Sequence, residues 1–136
     1  MEKLEHIGIA VKNLGQANAL FEKLLGKPHY KIEEVASEGV RTSFFEVNGV
    51  KIELLEASSE TSPIAKFIDK RGEGIHHLAF EVNDIARAIA EYKAQGFEPI
   101  NPEPKKGADN KIICFLHPKS TGGVLIELCQ EVSPLR

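Results

Sequence analysis

The chain has 136 residues, the length of one ordinary domain, of which 42% are hydrophobic and 27% are charged. Its 17 basic and 20 acidic residues leave a formal net charge of −3, which favours neither a nucleic-acid surface nor a membrane surface. No apolar run approaches the roughly 20 residues of a membrane span, and a strand pattern begins almost at Met1. We therefore expect no signal peptide, a cytoplasmic location, and reduced, buried side chains for Cys114 and Cys129.

A strand and a helix open the sequence. Residues 4–11, L-E-H-I-G-I-A-V, alternate so that the two isoleucines face one side of the strand and His6 faces the other. Asn13 then caps a predicted helix, and Gly26 ends it. The first elements are therefore a strand followed by a helix.

The same strand and helix return 71 residues later in the chain. Residues 75–82, I-H-H-L-A-F-E-V, repeat the alternation and place His77 where the first copy has His6. Asp84 caps the second helix, and Gly96 closes it. This correspondence indicates an internal repeat.

Each helix is followed by three short extended segments, the last two of which form a hairpin. Asn48-Gly49 is a strong two-residue turn signal in the first half, whereas P-K-S-T-G-G makes a longer turn in the second. Each half therefore has the order β-α-β-β-β, and we expect a single α+β domain whose two tandem modules form a curved mixed sheet around a metal site. Its expected parts are module 1 at about residues 1–57, a linker helix at 58–74 and module 2 at about 75–136.

Both halves break the apolar pattern at matched positions. His6 on the first strand and Glu53 in V-K-I-E-L-L are repeated as His77 and as Glu127 in V-L-I-E-L-C. A lone histidine or glutamate in a strand is usually structural, but four at equivalent positions predict ligands that a pseudo-twofold brings around one cation. Imidazole and carboxylate donors without thiolates favour an open site for Zn²⁺, Co²⁺, Mn²⁺, Ni²⁺ or Fe²⁺ over a closed structural zinc site.

Other motifs in the sequence carry less chemistry. The chain lacks a dinucleotide-binding glycine pattern, a Walker-type lysine loop and a nucleophile elbow. Four lysines cluster in the last third, and we interpret them as a solvated charged surface rather than as a patch that binds an anionic substrate. They are Lys105, Lys106, Lys111 and Lys119.

The paired modules resemble the vicinal oxygen chelate superfamily of glyoxalases, bleomycin-resistance proteins and dioxygenases over essentially the whole chain. Within it, S-P-I-A-K-F, R-G-E-G-I-H-H-L-A-F and above all F-L-H-P-K-S-T-G-G-V-L-I-E-L resemble the methylmalonyl-CoA epimerase family. The resemblance implies the glyoxalase fold and metal ligands at His6, Glu53, His77 and Glu127, the four residues that the repeat selects. One departure is that some of these epimerases carry glutamine at the position of Glu53 and a glutamate, proposed as a base, at that of Thr42.

The resemblance implies an isomerase that interconverts (2R)- and (2S)-methylmalonyl-CoA through a metal-stabilised enolate. The expected cofactor is one divalent ion, Co²⁺, Zn²⁺, Mn²⁺ or Ni²⁺, and the expected partner is an acyl-CoA substrate. We expect Glu127 and Glu53 to bind the metal and also to move the α-proton, because inversion is simplest with one base on each face of a planar enolate.

Three residues are expected to contact the substrate. Counting back across the Asn48-Gly49 turn pairs Thr42 with Leu55 and places the Thr42 side chain on the face that carries Glu53. Lys119 and Ser120 precede the strand of Glu127 and could meet the acid group of a dicarboxylic thioester. A homodimer is expected because dimers are common among look-alike proteins.

Two alternative functions stay open from the sequence. A glyoxalase I-type lactoylglutathione lyase, or another isomerase of thiol hemithioacetals, would present the same two histidines and two glutamates. A non-catalytic, drug-sequestering protein of the same fold would need no metal ligands. A dioxygenase is disfavoured because it uses two histidines and one carboxylate, and Glu53 supplies a second carboxylate.

Overall fold

The computed structural model describes residues 1–132. The described residues form two compact units, one of residues 6–76 and one of residues 1–5 together with residues 77–132. The elements of the first half are β1 (Lys3–Ala10), α1 (Leu14–Leu25), β2 (Lys31–Val35), β3 (Val40–Val47) and β4 (Val50–Ala57), followed by α2 (Pro63–Arg71). Those of the second half are β5 (Gly74–Glu81), α3 (Ile85–Ala94), β6 (Lys105–Lys106), β7 (Lys111–Leu116) and β8 (Ile126–Glu131).

The strands of the first module lie in the order β2-β3-β4-β1. Strand β1 runs parallel to β4, and the other neighbouring strands are antiparallel. Asn48 and Gly49 have φ angles of 51° and 85°, the left-handed backbone that a tight two-residue hairpin requires. This turn sets the register, which pairs Thr42 with Leu55 as predicted.

The second module repeats this arrangement as β6-β7-β8-β5. Strand β5 runs parallel to β8, and β6, β7 and β8 pair with antiparallel neighbours. The edge strand is short, because β6 contains only Lys105 and Lys106. The predicted fold class, α+β with two tandem βαβββ modules, is confirmed, and each module contains a mixed sheet.

The predicted starts of α1 and α3 and the predicted end of α1 are confirmed, whereas the C-cap of α3 is Gln95 rather than Gly96. The Asn13 side chain accepts a hydrogen bond from the N–H of Gln16, and the Asp84 side chain accepts one from the N–H of Arg87. Gly26 ends α1 in the left-handed conformation, with φ of 78°. None of the helices within residues 1–132 is long and apolar enough to cross a membrane.

The first N–H of each of these helices is also held by the last strand of its own module. Leu14 N–H donates to Glu56 Oε2 at 3.0 Å, and Ile85 N–H donates to Gln130 Oε1 at 2.8 Å. Such N–H groups have no partner inside the helix. The two strand side chains supply one and fix each helix on its sheet.

The helices cover different faces of the two sheets. Helix α1 packs on one face of the first sheet, and α3 packs on the equivalent face of the second. Helix α2 covers the opposite face of the first sheet, which is the face that carries Glu53. Its cluster contains Ala10, Val40, Leu55 and Ile64, with Val35, Ala57, Phe67 and Ile68 packed against them.

Candidate metal centre

The parallel pairing of β1 with β4 brings His6 and Glu53 together. Glu53 lies level with Gly8, two residues along the strand from His6 and on the same face. The carboxylate of Glu53 therefore lies beside the imidazole, and His6 Nδ1 is 3.1 Å from Glu53 Oε2. Both side chains are buried.

The second module builds the same pair from β5 and β8. Glu127 lies level with Ala79, again two residues along from the histidine, and His77 Nε2 is 3.2 Å from Glu127 Oε1. Both side chains are buried, and the His77 ring stands edge-on to Phe115 at 5.6 Å between centroids. The duplication seen in the sequence is therefore a duplicated pair of contacts in the structure.

Each pair fits half of a metal site. His77 and Glu127 belong to one group of potential ligands, and His6 and Glu53 belong to another. Two donor atoms that are each about 2.1 Å from an ion and about 90° apart lie about 3.0 Å from each other, close to both observed spacings. A buried carboxylate is costly without a cation or hydrogen-bond donors, and nitrogen and oxygen donors suit the borderline divalent metals.

A phenylalanine lies directly across the ladder from each glutamate. Phe44 pairs with Glu53, and Phe115 pairs with Glu127. Phe44 is fully buried, so a buried apolar residue stands directly opposite Glu53. Low polarity around a carboxylate strengthens its interaction with a cation.

Thr42 lies on the same face as Phe44 and Glu53, two residues from Phe44 along β3. Its side chain is 0% exposed, and its Oγ1 has no hydrogen-bond partner within residues 1–132. A buried hydroxyl without a partner costs about 1–3 kcal/mol. The Thr42 hydroxyl can therefore gain a hydrogen bond from a ligand or a water molecule on this face.

Comparison with known proteins places the chain in a family. A family model described as the Glyoxalase/Bleomycin resistance protein/Dioxygenase superfamily matches residues 5–115. The chain belongs to this superfamily.

Named relatives within the superfamily are methylmalonyl-CoA epimerases. The ethylmalonyl-CoA/methylmalonyl-CoA epimerase of Cereibacter sphaeroides is 40% identical over 130 residues, which cover 94% of this chain and 97% of the relative. A variant of the Streptomyces coelicolor methylmalonyl-CoA epimerase, solved in complex with 2-nitronate-propionyl-CoA, matches at a TM-score of 0.93 and 32% identity, covering 98% of this chain and 99% of that one. A hypothetical protein of Bacillus halodurans matches at a TM-score of 0.93 and 46% identity, covering 98% and 97%. The predicted resemblance to the superfamily and to its epimerases is confirmed.

The two remaining predicted substrate contacts of this superfamily member lie in a one-turn 3₁₀ helix, residues Pro118–Ser120. Lys119 Nζ is 3.3 Å from Glu98 Oε1, and its side chain is 67% exposed. Ser120 Oγ donates to the His117 carbonyl at 2.8 Å and accepts a bond from the N–H of Glu98 at 3.1 Å. Both side chains therefore have protein partners that hold this turn on the segment around Glu98.

The predicted solvent exposure of one lysine is not observed. Lys111 was grouped with a solvated surface, and that prediction is wrong because Lys111 is buried, as is Glu5. Their burial was missed because a strand lysine or glutamate is usually solvent-facing. The alternation of Lys111 with Ile113 and Phe115 does carry a signal, since all three share one face of β7.

The two cysteines behave as predicted for small core residues. Cys114 and Cys129 are both free and fully buried. Burial raises the pKa of each thiol, so neither is a reactive thiolate at neutral pH. The candidate chemistry of this superfamily member therefore rests on imidazoles and carboxylates.

Proposed function

We propose that this chain is a methylmalonyl-CoA epimerase that interconverts the (2R) and (2S) forms of its substrate. The observation that carries the proposal is the pair of buried histidine–glutamate contacts, one in each module, in a chain whose named relatives are epimerases. The full chain acts as one domain, in the cytoplasm and as a homodimer. A drug-sequestering protein would gain nothing from two such buried pairs.

The four side chains of these pairs are the proposed ligands of one divalent cation: His6, Glu53, His77 and Glu127. Their burial, their donor atoms and their spacings support this role. Co²⁺, Zn²⁺, Mn²⁺ and Ni²⁺ are all suited to such donors. When bound, the cation supplies Lewis-acid stabilisation of the negative charge that develops on the substrate oxygens as the α-proton leaves.

The two carboxylates are also the proposed proton carriers. Removal of the α-proton gives a planar enolate, and inversion requires that a proton return to the opposite face. Glu127 and Glu53 occupy equivalent places in the two modules, each held at one oxygen by a histidine. A carboxylate is an acceptor with two oxygens, so the same group can bind a cation and accept a proton.

Substrate recognition is assigned to three further side chains in this proposal. Thr42 offers a hydroxyl with no partner among the described residues, on the face that carries Glu53. Lys119 offers a cation that its exposed partner Glu98 neutralises only weakly. Ser120 holds the turn that presents Lys119.

Deuterium exchange tests the proposed reaction. Metal-loaded protein is incubated with (2S)-methylmalonyl-CoA in deuterated water, and the label at the α-carbon and the amount of the (2R) form are measured over time. We expect label and inversion to appear well above the protein-free rate, to stop after chelation and to return with a divalent ion. Exchange no faster than the protein-free control would overturn the proposal, and turnover of a glutathione hemithioacetal instead would identify a lactoylglutathione lyase.

A further inference from the structure

Lys111 is a buried cation on the face of the second sheet that carries Glu127. The pairing of β7 with β8 places Lys111 opposite Glu131, Ile113 opposite Cys129, and Phe115 opposite Glu127. Alternate residues of a strand share a face, so these side chains follow one another along the same side of the sheet. The Lys111 side chain is only 7% exposed.

The ammonium group of Lys111 is close to two carboxylates but is not hydrogen-bonded to them. Lys111 Nζ is 3.9 Å from Glu5 Oε2 and 3.8 Å from Glu131 Oε1, and both distances exceed that of a hydrogen bond. The carboxylates offset the cost of burying the charge, yet the N–H donors stay available. A buried ammonium gains most from an acceptor at hydrogen-bond distance.

The first module shows that this charge is not required by the fold. Equivalent ladder positions there carry Val40 in place of Lys111 and Ala57 in place of Glu131, and α2 covers them with apolar side chains. The corresponding cluster of the second module consists of strand residues alone. The face beside Lys111 therefore differs from its repeat both in charge and in the lack of a covering helix among the described residues.

The Cys129 side chain links Lys111 to the proposed reaction site. Cys129 lies two residues from Glu127 along β8 and opposite Ile113, which is two residues from Lys111 along β7. Lys111 and Glu127 therefore lie near the same thiol, on one face of the sheet.

We propose that the Lys111 ammonium binds the free carboxylate of the substrate's acyl group and so selects thioesters that carry a carboxylate on the α-carbon. The inference rests on the proposed function, because it takes the substrate to be an acyl-CoA. Two hydrogen bonds from one ammonium to this carboxylate would also limit rotation of the acyl group, so that the α-hydrogen stays directed at its base. Lys111 is thus a residue that determines specificity.

Two unreactive ligands test this role by calorimetric titration of metal-loaded protein. Dimethylmalonyl-CoA has no α-hydrogen, and isobutyryl-CoA differs from it only by a hydrogen in place of the carboxylate. We expect Lys111→Met to weaken binding of dimethylmalonyl-CoA by about 10- to 100-fold while changing that of isobutyryl-CoA by less than about twofold. Lys106→Met, which removes an exposed lysine of β6, is the matched control and should change neither affinity.

A second variant keeps the test decisive if Lys111→Met does not fold. Glu131→Gln removes a competing carboxylate from a side chain that is 68% exposed, and it should tighten dimethylmalonyl-CoA binding by about two- to fivefold without affecting isobutyryl-CoA. Equal effects on the two ligands, or none, in the folded variants would overturn the role of Lys111. That result would leave the epimerase proposal standing if the wild-type protein still exchanges the α-proton, whereas loss of wild-type exchange would point to the proposed function itself.

Discussion

The two modules are alike at one end of their sheets and differ at the other. Both contain a histidine–glutamate contact of 3.1–3.2 Å and a phenylalanine across the ladder from the glutamate. Farther along the same face, Leu55 and Ala57 of the first module correspond to Cys129 and Glu131 of the second. Both modules form the histidine–glutamate contact, although α2 covers this face only in the first module. The strand pairing is therefore sufficient to form the contact.

The face under α2 in the first module contributes to stability, whereas we assign the equivalent face of the second module to substrate recognition. In the first module, α2 contributes burial of apolar surface, which stabilises the fold by about 25 cal/mol for each Å² removed from water. In the second module, the equivalent positions hold the exposed Glu131 and the buried Lys111, and burial of the Lys111 charge costs free energy. The proposed contact between Lys111 and the substrate carboxylate would offset this cost when substrate binds.

Removing a proposed ligand should have the largest effect. Glu127→Ala removes both a carboxylate ligand and the proposed base, so we expect α-proton exchange to fall by about 1,000-fold and bound metal to decrease. Exchange into methylmalonyl-CoA and elemental analysis measure the two quantities. Glu91→Ala, which removes an exposed carboxylate on α3, is the control, and near-normal exchange in Glu127→Ala would exclude this glutamate from the site.

Truncating the helix that covers the first module should cost stability. Ile64 on α2 is 2% exposed and lies in the cluster with Val40 and Leu55. Ile64→Ala should lower the free energy of unfolding by about 3 kcal/mol, as measured by urea denaturation. Ile100→Ala, at a side chain that is 50% exposed, should change it by less than about 0.5 kcal/mol, and similar losses in both variants would contradict the role of α2.

The two glutamates can be compared by replacing each with its amide. Glu53→Gln keeps an oxygen donor but cannot accept a proton, so we expect it to retain metal and to slow α-proton exchange by about tenfold. Glu127→Gln should slow exchange more, because we assign Glu127 the main proton transfer. Stopped exchange reactions analysed by mass spectrometry give the rates, and an unchanged rate in Glu53→Gln would remove Glu53 from the proton path.

Thr42→Val tests the hydroxyl that has no partner among the described residues. Valine has nearly the same shape, so the change removes an unsatisfied buried polar group. We expect the free protein to gain about 1 kcal/mol of stability and the KM for methylmalonyl-CoA to rise. Thr121→Val supplies a contrasting control, because the Thr121 hydroxyl donates to backbone carbonyls and its removal should be destabilising.

Local patterns predicted most of the fold and identified the residues of both histidine–glutamate contacts. The alternation around His6 and His77 identified the inward-facing histidines, and the two-residue turn at Asn48-Gly49 fixed the register that places Thr42 opposite Leu55. These features depend on residues close together in the chain. A short turn leaves the pairing of its strands almost no freedom.

The burial of Lys111 could not be predicted in the same way. Whether a strand lysine is buried depends on what covers that face of the sheet, and its partner Glu5 is 106 positions away in the chain. Likewise, the hydrogen bonds of Ser120 to Glu98 and His117 depend on how two loops meet. Contacts between distant segments follow from tertiary packing, which local periodicity does not encode.

The smallest predicted effect concerns the strand side chains that hold the two helices, Glu56 in the first module and Gln130 in the second. Partial burial pushes the pKa of Glu56 upward, but hydrogen bonds from Arg41 and from the Leu14 N–H, with the charge of Arg41, outweigh it and hold the pKa below its ordinary value. A carboxyl with a lowered pKa in the folded state stabilises the protein above its unfolded pKa. This stabilisation is lost as the pH falls through the lower, folded value.

Glu56→Gln makes the first module resemble the second and should remove this pH dependence. At pH 7 the wild-type protein should be more stable than the variant by less than about 1 kcal/mol, and the difference should shrink as urea denaturation is repeated at decreasing pH. Gln130→Glu is the reciprocal change. Ile112 occupies the position that Arg41 has in the first module. The new carboxylate at position 130 would therefore have no guanidinium partner there, and its pH-dependent stabilisation of the fold should be smaller. If the pH-dependent part of the free energy of unfolding is equal at the two sites, it comes from the helix N-terminus rather than from Arg41. If the wild-type protein shows no such pH dependence, Glu56 does not contribute to it.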